Sequence, residues 1–322
     1  MAIRIRDSVI KTWSSQTQRQ FGIDRPLRHE INSSAEETFL AMLELGIADG
    51  QLETAAKLAD LPVELAKKLL SELAEITEDF TPPLARSELS NLPSPQKSYF
   101  QNRQQAVVFV PTLDRLGKLL VHALAHAGIG KIIVGDSTLI SDADCGRLGY
   151  QRAQIGTSKL SVVKSEVTNA PSSLKLDNRM SWADYAEVDI AVVSASGAFQ
   201  PTDYQRWLSL SKKHIGICFS DKHVLVTSVI REGFACLGCR ELNKWEVDAG
   251  RKLVCNQIAG IKGLKSSIAL MFSASITAQR IINEIDGGRD DSDIEFWFDG
   301  SIESVAEKIS PDCGCQQAPG EI

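Results

Sequence analysis

Two pairs of closely spaced cysteines carry the clearest chemistry in this sequence. Cys236 and Cys239 form a C-x-x-C motif, and Cys313 and Cys315 form a C-x-C motif late in the chain. Four thiolates can converge tetrahedrally on zinc, and the glycine inside each pair lets the backbone curl so that its thiols point the same way. We therefore predict a structural zinc site. The other interpretation is two unrelated pairs of reduced cysteines, and a catalytic zinc is not expected because four thiolates leave no position open for water.

The rest of the composition limits the class of protein. Hydrophobic residues make up 43% of the chain, charged residues 24%, and the net charge is −6. A general nucleic-acid binder would normally be basic, so nucleic acid is not an expected partner. No apolar run approaches the roughly 20 residues that span a bilayer, and MAIRIRDSVIK lacks a signal-peptide core. We expect a cytoplasmic protein, in which Cys145, Cys218 and Cys255 are buried small residues rather than nucleophiles.

The part of the chain that contains the cysteine pairs has the pattern of an α/β domain. AVVFV, RLGKLLVHALAHAG and KIIVGD form a strand–helix–strand unit of the dinucleotide-binding kind. Later apolar runs, KLSVVKS, VDIAVVSAS, HIGICFS and KHVLVTSVI, are typical of further buried strands. We predict a Rossmann-like α/β domain over residues 104–322.

The first 80 residues form a separate unit by pattern. IRIRDSVIKTW, QRQFGI and RPLRHEI indicate three short strands, and Ser33 or Ser34 can cap the first of three helical stretches. The last two helical stretches have the form of a helix-turn-helix, so the sequence predicts a winged-helix domain over residues 1–80. Residues 81–103, which contain four prolines before Gln96, are interpreted as a linker.

Taken together, these motifs resemble the ThiF and MoeB type of ubiquitin-activating-enzyme-like protein from about residue 105 to 315. AHAGIGKIIVGD, which ends at Asp136, resembles the second strand of that family. SDADCGRLGYQRAQIGTSK resembles the segment after it and places Arg147 and Lys159 near the family's nucleotide-contacting arginine and lysine. REGFACLGCREL and SPDCGC resemble the family's zinc pairs. Within the superfamily, the domain order resembles the leader-peptide-binding partner proteins of cyclodehydratases in thiazole/oxazole-modified peptide biosynthesis.

The sequence departs from the family at the nucleotide site. The family's glycine-rich loop is replaced by Pro111-Thr-Leu-Asp-Arg-Leu-Gly117, and Ser196 stands where the family has a magnesium-binding aspartate. Glycines are needed because backbone amides must approach phosphates closely, and Asp114 would repel a phosphate. We therefore expect a vestigial nucleotide site formed by Gly117, Asp136, Arg147 and Lys159. Neither ATP nor magnesium is expected to bind to this chain.

The first unit is expected to bind peptide rather than DNA. Residues 34–80 contain eleven Asp or Glu and three Lys, a surface that the DNA backbone would repel. An exposed strand edge can instead accept an extended peptide as an added strand. The candidate edge runs from Arg25 to Ile31, with the third helix opposite. The candidate peptide-binding residues are Arg25, Leu27, Arg28, Ile31, Leu65, Lys68 and Leu69, although Leu65 and Leu69 also fit a plain core role.

The function that the resemblance implies is a non-catalytic peptide-binding subunit. It would hold the leader of a ribosomal precursor peptide and present it to a YcaO-type cyclodehydratase, and a homodimer is implied by the resemblance alone. Two other functions stay open. One is a stand-alone ATP-dependent adenylating or cyclising enzyme that acts on a peptide. The other is a transcription regulator with an α/β sensor domain, against which the acidic first unit argues.

Overall fold

The computed structural model describes residues 3–6, 9–24, 26–47, 50–79, 96–168, 170, 175–178, 182–248, 250–258 and 266–316. The chain divides into two compact units, Met1–Gln101 and Asn102–Ile322. Each unit has its own buried apolar core. Within the described residues, no helix combines the length and apolar character that a bilayer span requires.

The first unit combines short antiparallel strands with helices. The strands are β1 (Ile3–Ile5), β2 (Lys11–Trp13), β3 (Gln18–Phe21), β4 (Leu27–Glu30) and β5 (Thr77–Asp79), and the helices are α1 (Ser34–Leu45), α2 (Leu52–Leu58) and α3 (Val63–Glu72). Strands β2, β3 and β4 form one sheet in that order, and β1 pairs with β5. The segment interpreted as a first strand, IRIRDSVIKTW, is therefore divided between two sheets.

Helix α1 begins where the sequence predicts it. The Ser33 hydroxyl accepts a hydrogen bond from the Glu36 amide at 3.2 Å and so caps the helix. Phe39, Leu40 and Leu43 follow at helical spacing, and all three are buried. They pack in one core with residues of α3, so the helices are held against the sheet by one apolar face each.

The end of the predicted linker is helical. Helix α4 (Gln96–Gln105) occupies most of the segment after the last proline, Pro95. Arg103 near its end is buried, and its guanidinium binds the Asp286 carboxylate, with a 3.0 Å hydrogen bond from Nε. The boundary predicted at residue 103 is therefore a buried position of the second unit rather than a linker position. Proline breaks helices, and the prolines lie only before α4.

The second unit contains an eight-stranded mixed sheet among its described residues. Its strands are β6 (Val107–Val110), β7 (Lys131–Val134), β8 (Lys175–Asp177), β9 (Ile190–Ser196), β10 (Lys213–Phe219), β11 (His223–Val226), β12 (Asp293–Trp297) and β13 (Ile302–Val305). The order is β13-β12-β11-β10-β9-β6-β7-β8. From β8 to β10 the strands are parallel, and from β10 to β13 they are antiparallel. The parallel part reverses its order between β6 and β9, as a Rossmann-like fold does.

Helices cover both faces of this sheet. They are α5 (Arg115–His126), α6 (Lys159–Glu166), α7 (Trp182–Glu187), α8 (Pro201–Ser209), α9 (Leu237–Val247), α10 (Arg251–Ile258) and α11 (Ser267–Ile285). Helices α5, α6 and α11 bury their apolar faces in one core, and α8 and α9 contribute to a second core. The predicted α/β fold is confirmed, with one local error. KLSVVKS, interpreted as a strand, is helix α6, capped by the Ser158 side chain.

Candidate metal centre and nucleotide-site region

The four predicted zinc ligands form one cluster. The Sγ atoms of Cys236, Cys239, Cys313 and Cys315 all lie within 4.8 Å of one another. Cys236 Sγ is 3.8 Å from Cys239 Sγ and 3.5 Å from Cys313 Sγ, and Cys239 Sγ is 3.5 Å from Cys315 Sγ. A zinc–sulfur bond of about 2.3 Å makes the edge of a tetrahedron about 3.8 Å. The spacing thus fits one zinc held by four thiolates and is far too long for disulfides.

Helix α9 and a tight packing contact set the first pair. Cys236 is the N-cap of α9, and its Sγ accepts a hydrogen bond from the Cys239 amide. A Cβ at Gly238 would lie 2.8 Å from the Tyr204 hydroxyl and within 3.5 Å of the sulfurs of Cys236 and Cys313. The glycine is therefore required for close approach, not for a left-handed backbone.

The protonation of the thiols shows why the cluster suits a cation. The hydrogen bond between Cys236 and Cys239 raises the pKa of Cys236 and lowers the pKa of Cys239 to about 4. Burial raises the pKa of Cys313 to about 11. Burial and the nearby thiols thus oppose ionisation of Cys236, and burial opposes that of Cys313, so a positive charge at the centre of the cluster would favour their thiolates. A divalent metal supplies that charge.

The predicted nucleotide-site residues lie at the carboxyl ends of the central strands. The loop after β6 leads into α5, Asp136 follows β7, and Ser196 ends β9. Ligands of doubly wound sheets bind outside these strand ends, where the strand order reverses. The structure therefore places the loop after β6, Asp136 and Ser196 in the region where doubly wound sheets bind ligands.

The loop between β6 and α5 is closed by a hydrogen bond from the first turn of α5 to the side chain of Asp114. Asp114 is the N-cap of α5, and its Oδ1 accepts a hydrogen bond from the Gly117 amide at 3.0 Å. A Cβ at Gly117 would lie 1.7 Å from the Thr112 carbonyl oxygen, so the loop is folded tightly onto the first turn of the helix. A carboxylate thus occupies the helix N-terminus, the position at which a phosphate would be bound.

Asp136 and Lys159, predicted separately, meet in a buried ion-pair network. Asp136 Oδ2 accepts from the Leu113 amide at 2.9 Å and lies 3.6 Å from Lys159 Nζ. The same ammonium lies 3.0 Å from Asp144 Oδ1. Burial opposes ionisation of Asp136, but hydrogen bonds from Thr138 and Leu113 and the charge of Lys159 outweigh it and lower its pKa.

Asp144 was not predicted from the sequence, and Arg147 lies apart from the network. Asp144 sits in a short 3-10 turn, and its carboxylate also accepts from the Ser141 amide and hydroxyl. Ser141 and Asp144 form a reciprocal cap, the signal that could have identified Asp144. Arg147 is exposed in the following turn. Of the four predicted positions, the structure brings Asp136 and Lys159 together and places Gly117 in the first turn of α5.

A small cavity remains at this edge of the sheet. Its volume is about 230 Å³, and its lining residues include Pro111, Gly135, Ser194 and Arg206. It therefore lies beside the predicted nucleotide-site residues, none of which is among its lining residues.

Strand β4 has a free edge in the described part of the first unit, where only β3 pairs with it. The Ile31 amide donates to the Thr17 carbonyl oxygen across β3. Because antiparallel bonds alternate, the backbone groups of Leu27 and His29 point to β3 and those of Arg28 and Glu30 point outward. The edge therefore offers donors and acceptors to an added strand. Arg25 lies outside the described residues.

The side chains predicted on α3 differ in exposure. Leu65 is half-buried and Lys68 is exposed, as a surface role requires. Leu69 is 1% exposed and belongs to the core, so it stabilises the helix and offers no free surface. Leu27 on β4 and Ile31 just after it pack against the same core, while Arg28 is exposed.

Comparison with known proteins identifies the fold. No family model and no curated protein matches the chain. Among solved structures, E. coli MccB bound to AMPCPP and MccA has 17% sequence identity and a TM-score of 0.63, over 97% of this chain and 99% of that chain. The microcin C7 biosynthetic enzyme MccB with N-formylated MccA has 17% identity and a TM-score of 0.63, over 98% and 100%. PaaA has 14% identity and a TM-score of 0.53, over 76% and 91%. This chain is therefore similar in fold to MccB over both of its units.

Proposed function

We propose that this chain is a ThiF-like protein of ribosomal peptide maturation that binds the leader of a precursor peptide at the edge of β4. The observation that carries the proposal is the edge of β4 beside α3, with which no described strand pairs. Peptides commonly bind by adding a strand to such an edge. The MccB structures support this, because MccB is bound to the peptide MccA in several of them.

We further propose that the chain does not itself adenylate the peptide. Asp114 takes the helix N-terminus, Lys159 is held by two carboxylates, and Ser196 cannot ligate magnesium as an aspartate would. The ATP-using step then belongs to a separate YcaO-type cyclodehydratase. This chain would present Cys, Ser or Thr residues of the precursor to it, and its contribution to rate would be proximity. The winged-helix character of the first unit and a homodimer are parts of the same proposal.

The zinc site belongs to the structural part of this function. Four cysteine thiolates would hold the metal, so the ion would tie α9 to the segment around Cys313. Zinc bound in this way supplies folding energy and no Lewis-acid position.

A second candidate function is ATP-dependent adenylation of a peptide by this chain alone. Two observations favour it. MccB has been solved with ATP and with AMPCPP. In this chain Asp136, just after β7, and Lys159, at the start of α6, lie 3.6 Å apart. It requires Asp114 to leave the helix N-terminus and Lys159 to leave Asp144. ATP–pyrophosphate exchange separates the two candidates, and the leading proposal predicts no exchange above background.

The peptide role can be tested without dividing the chain. The ligand is a labelled short peptide encoded beside the gene, titrated by fluorescence anisotropy. Arg28→Pro removes an outward amide of β4 without removing a bond to β3, so we expect binding to weaken at least tenfold. Lys11→Pro is the matched control, because Lys11 lies on the opposite edge strand and its amide also points outward. Equal binding by Arg28→Pro and the unmodified protein would remove the edge from the proposal.

A further inference from the structure

Two carboxylates surround one imidazole on the helix-facing side of β4. His29 Nδ1 lies 3.3 Å from Glu72 Oε2 of α3, and His29 Nε2 lies 3.7 Å from Glu36 Oε2 of α1. Among the described residues, His29 Nε2 has no hydrogen-bond partner although it is buried. Glu36 is buried and accepts from the Asn32 amide at 2.8 Å, so its charge is satisfied locally.

Glu72 is the more exposed of the two carboxylates beside His29. Its side chain is 42% exposed, and it is the last residue of α3. A negative charge at a helix C-terminus is disfavoured by the helix dipole, so this position favours a nearby cation. Lys68 reaches Glu72 only at 3.8 Å, and its own side chain is 70% exposed, which makes it a weak, solvent-screened partner. A cation in addition to Lys68 is therefore favoured near the Glu72 carboxylate.

The register of an added strand determines where that cation must stand. The backbone groups of His29 point to β3, so an antiparallel strand on the free edge meets His29 in a non-hydrogen-bonded pair. Side chains approach most closely in such pairs, with Cβ atoms about 4.5–5.5 Å apart. The side chain opposite His29 would lie on the same face as the His29 imidazole, which contacts the Glu72 carboxylate.

The neighbouring positions on this face are apolar. Leu27 and Ile31 lie two residues to either side of His29, and Leu65 of α3 is half-buried. Each packs against the core but keeps exposed surface, which an apolar ligand side chain would cover. On the antiparallel strand the pattern is thus symmetric about the position opposite His29.

We propose that the peptide bound at β4 carries a lysine or arginine opposite His29, with apolar side chains two positions before and after it. This inference rests on the proposed function, and Glu72 is its specificity-determining residue. The occupant is thus an extended apolar–x–basic–x–apolar segment. An exposed ion pair and the matching like-charge repulsion together give about a tenfold preference of a basic over an acidic residue at that position.

The experiment selects peptides from a displayed random library against the full-length protein. Peptides that also bind the Arg28→Pro variant are discarded, because their binding does not depend on the edge of β4. Glu72→Lys tests the charge, and Glu53→Lys on α2 is the matched control for the same change elsewhere on the unit. Thermal unfolding checks that each variant folds. We expect enrichment of the apolar–x–basic–x–apolar pattern, with the central residue changing to Asp or Glu for Glu72→Lys only.

The outcomes separate the two levels of the proposal. Edge-dependent peptides without a basic preference, or with the same preference for Glu72→Lys, overturn the specificity and leave peptide binding intact. A library that yields no edge-dependent peptide contradicts both the specificity and the proposed function. Individual winners are then resynthesised with Lys, Gln or Glu at the central position, and affinities that differ by less than twofold also overturn the inference.

Discussion

Replacing Lys159 with methionine should destabilise the second unit. Lys159 is 7% exposed and neutralises Asp136 and Asp144. Removing one partner of a buried ion pair costs about 3–5 kcal/mol. Both carboxylates keep other hydrogen bonds, from Thr138, Leu113 and Ser141, so we expect a loss of about 3 kcal/mol. In a domain of 150–250 residues this lowers Tm by about 6–12 °C, measurable by circular dichroism.

The pH dependence of that loss makes the test specific. In the unmodified protein the pKa of Asp136 and of Asp144 is lowered, so their stabilisation is complete above about pH 4 and is lost as pH falls through the folded-state pKa. Without Lys159 both pKa values rise, and the carboxylates of the variant become protonated at higher pH. The difference in Tm should therefore be largest near pH 7 and should shrink toward pH 4.

The matched control is Lys164→Met, an exposed lysine on the same helix. It should change the free energy of unfolding by less than about 0.5 kcal/mol. The reasoning is refuted if Lys159→Met unfolds at the same temperature as the unmodified protein, or if its loss is independent of pH. ATP–pyrophosphate exchange that the unmodified protein shows and Lys159→Met lacks would instead favour the adenylating function.

Three further predictions concern the metal centre and the first unit. Purified protein should contain about one zinc per chain by elemental analysis, and Cys236→Ser should lose it; full zinc retention by that variant would contradict the site. Gly238→Ala should lower the free energy of unfolding by about 1–3 kcal/mol through its contact with the Tyr204 hydroxyl, and adding Tyr204→Phe should recover part of the loss in a double-mutant cycle. Leu43→Ala should cost about 2–5 kcal/mol in urea unfolding, whereas Leu45→Ala, 84% exposed on the same helix, should cost less than about 0.5 kcal/mol.

The sequence was most informative where one local rule decides the structure. Buried parallel strands need continuous apolar runs, and AVVFV and KIIVGD became β6 and β7. The Ser33 cap follows from side-chain chemistry within three residues. The four cysteines were predicted as one cluster because two close pairs of thiols have few other uses in a reduced chain.

The sequence was least informative where burial on several sides hides the spacing of apolar residues that distinguishes a helix from a strand. KLSVVKS contains apolar residues at Leu160, Val162 and Val163, a pattern that suits a strand or a short helix. The Ser158 cap and packing against the sheet decide for the helix. Likewise, IRIRDSVIKTW alternates throughout, but only pairing partners distant in sequence show that it contributes to two sheets.

Partners distant in sequence also explain what was missed at the candidate sites. Lys159 and Asp136 were each predicted from resemblance, but their link through Asp144 depends on a 3-10 turn whose position the sequence does not determine. Tyr204 lies on α8 and contacts Gly238 on α9, 34 residues later in the chain. Such contacts arise from tertiary packing rather than from local propensity.

A metal bound by the four cysteines would also cross-link distant parts of the chain and so close a long loop. Cys239 and Cys315 are 76 residues apart, and strands β12 and β13 and helix α11 lie between them. A covalent closure of that length would remove about 4 kcal/mol of chain entropy from the unfolded ensemble. A bound ion would close the same loop reversibly, so metal availability would control how often the β12–β13 edge of the sheet opens. Hydrogen exchange of that edge should therefore respond to chelation before the central parallel strands do.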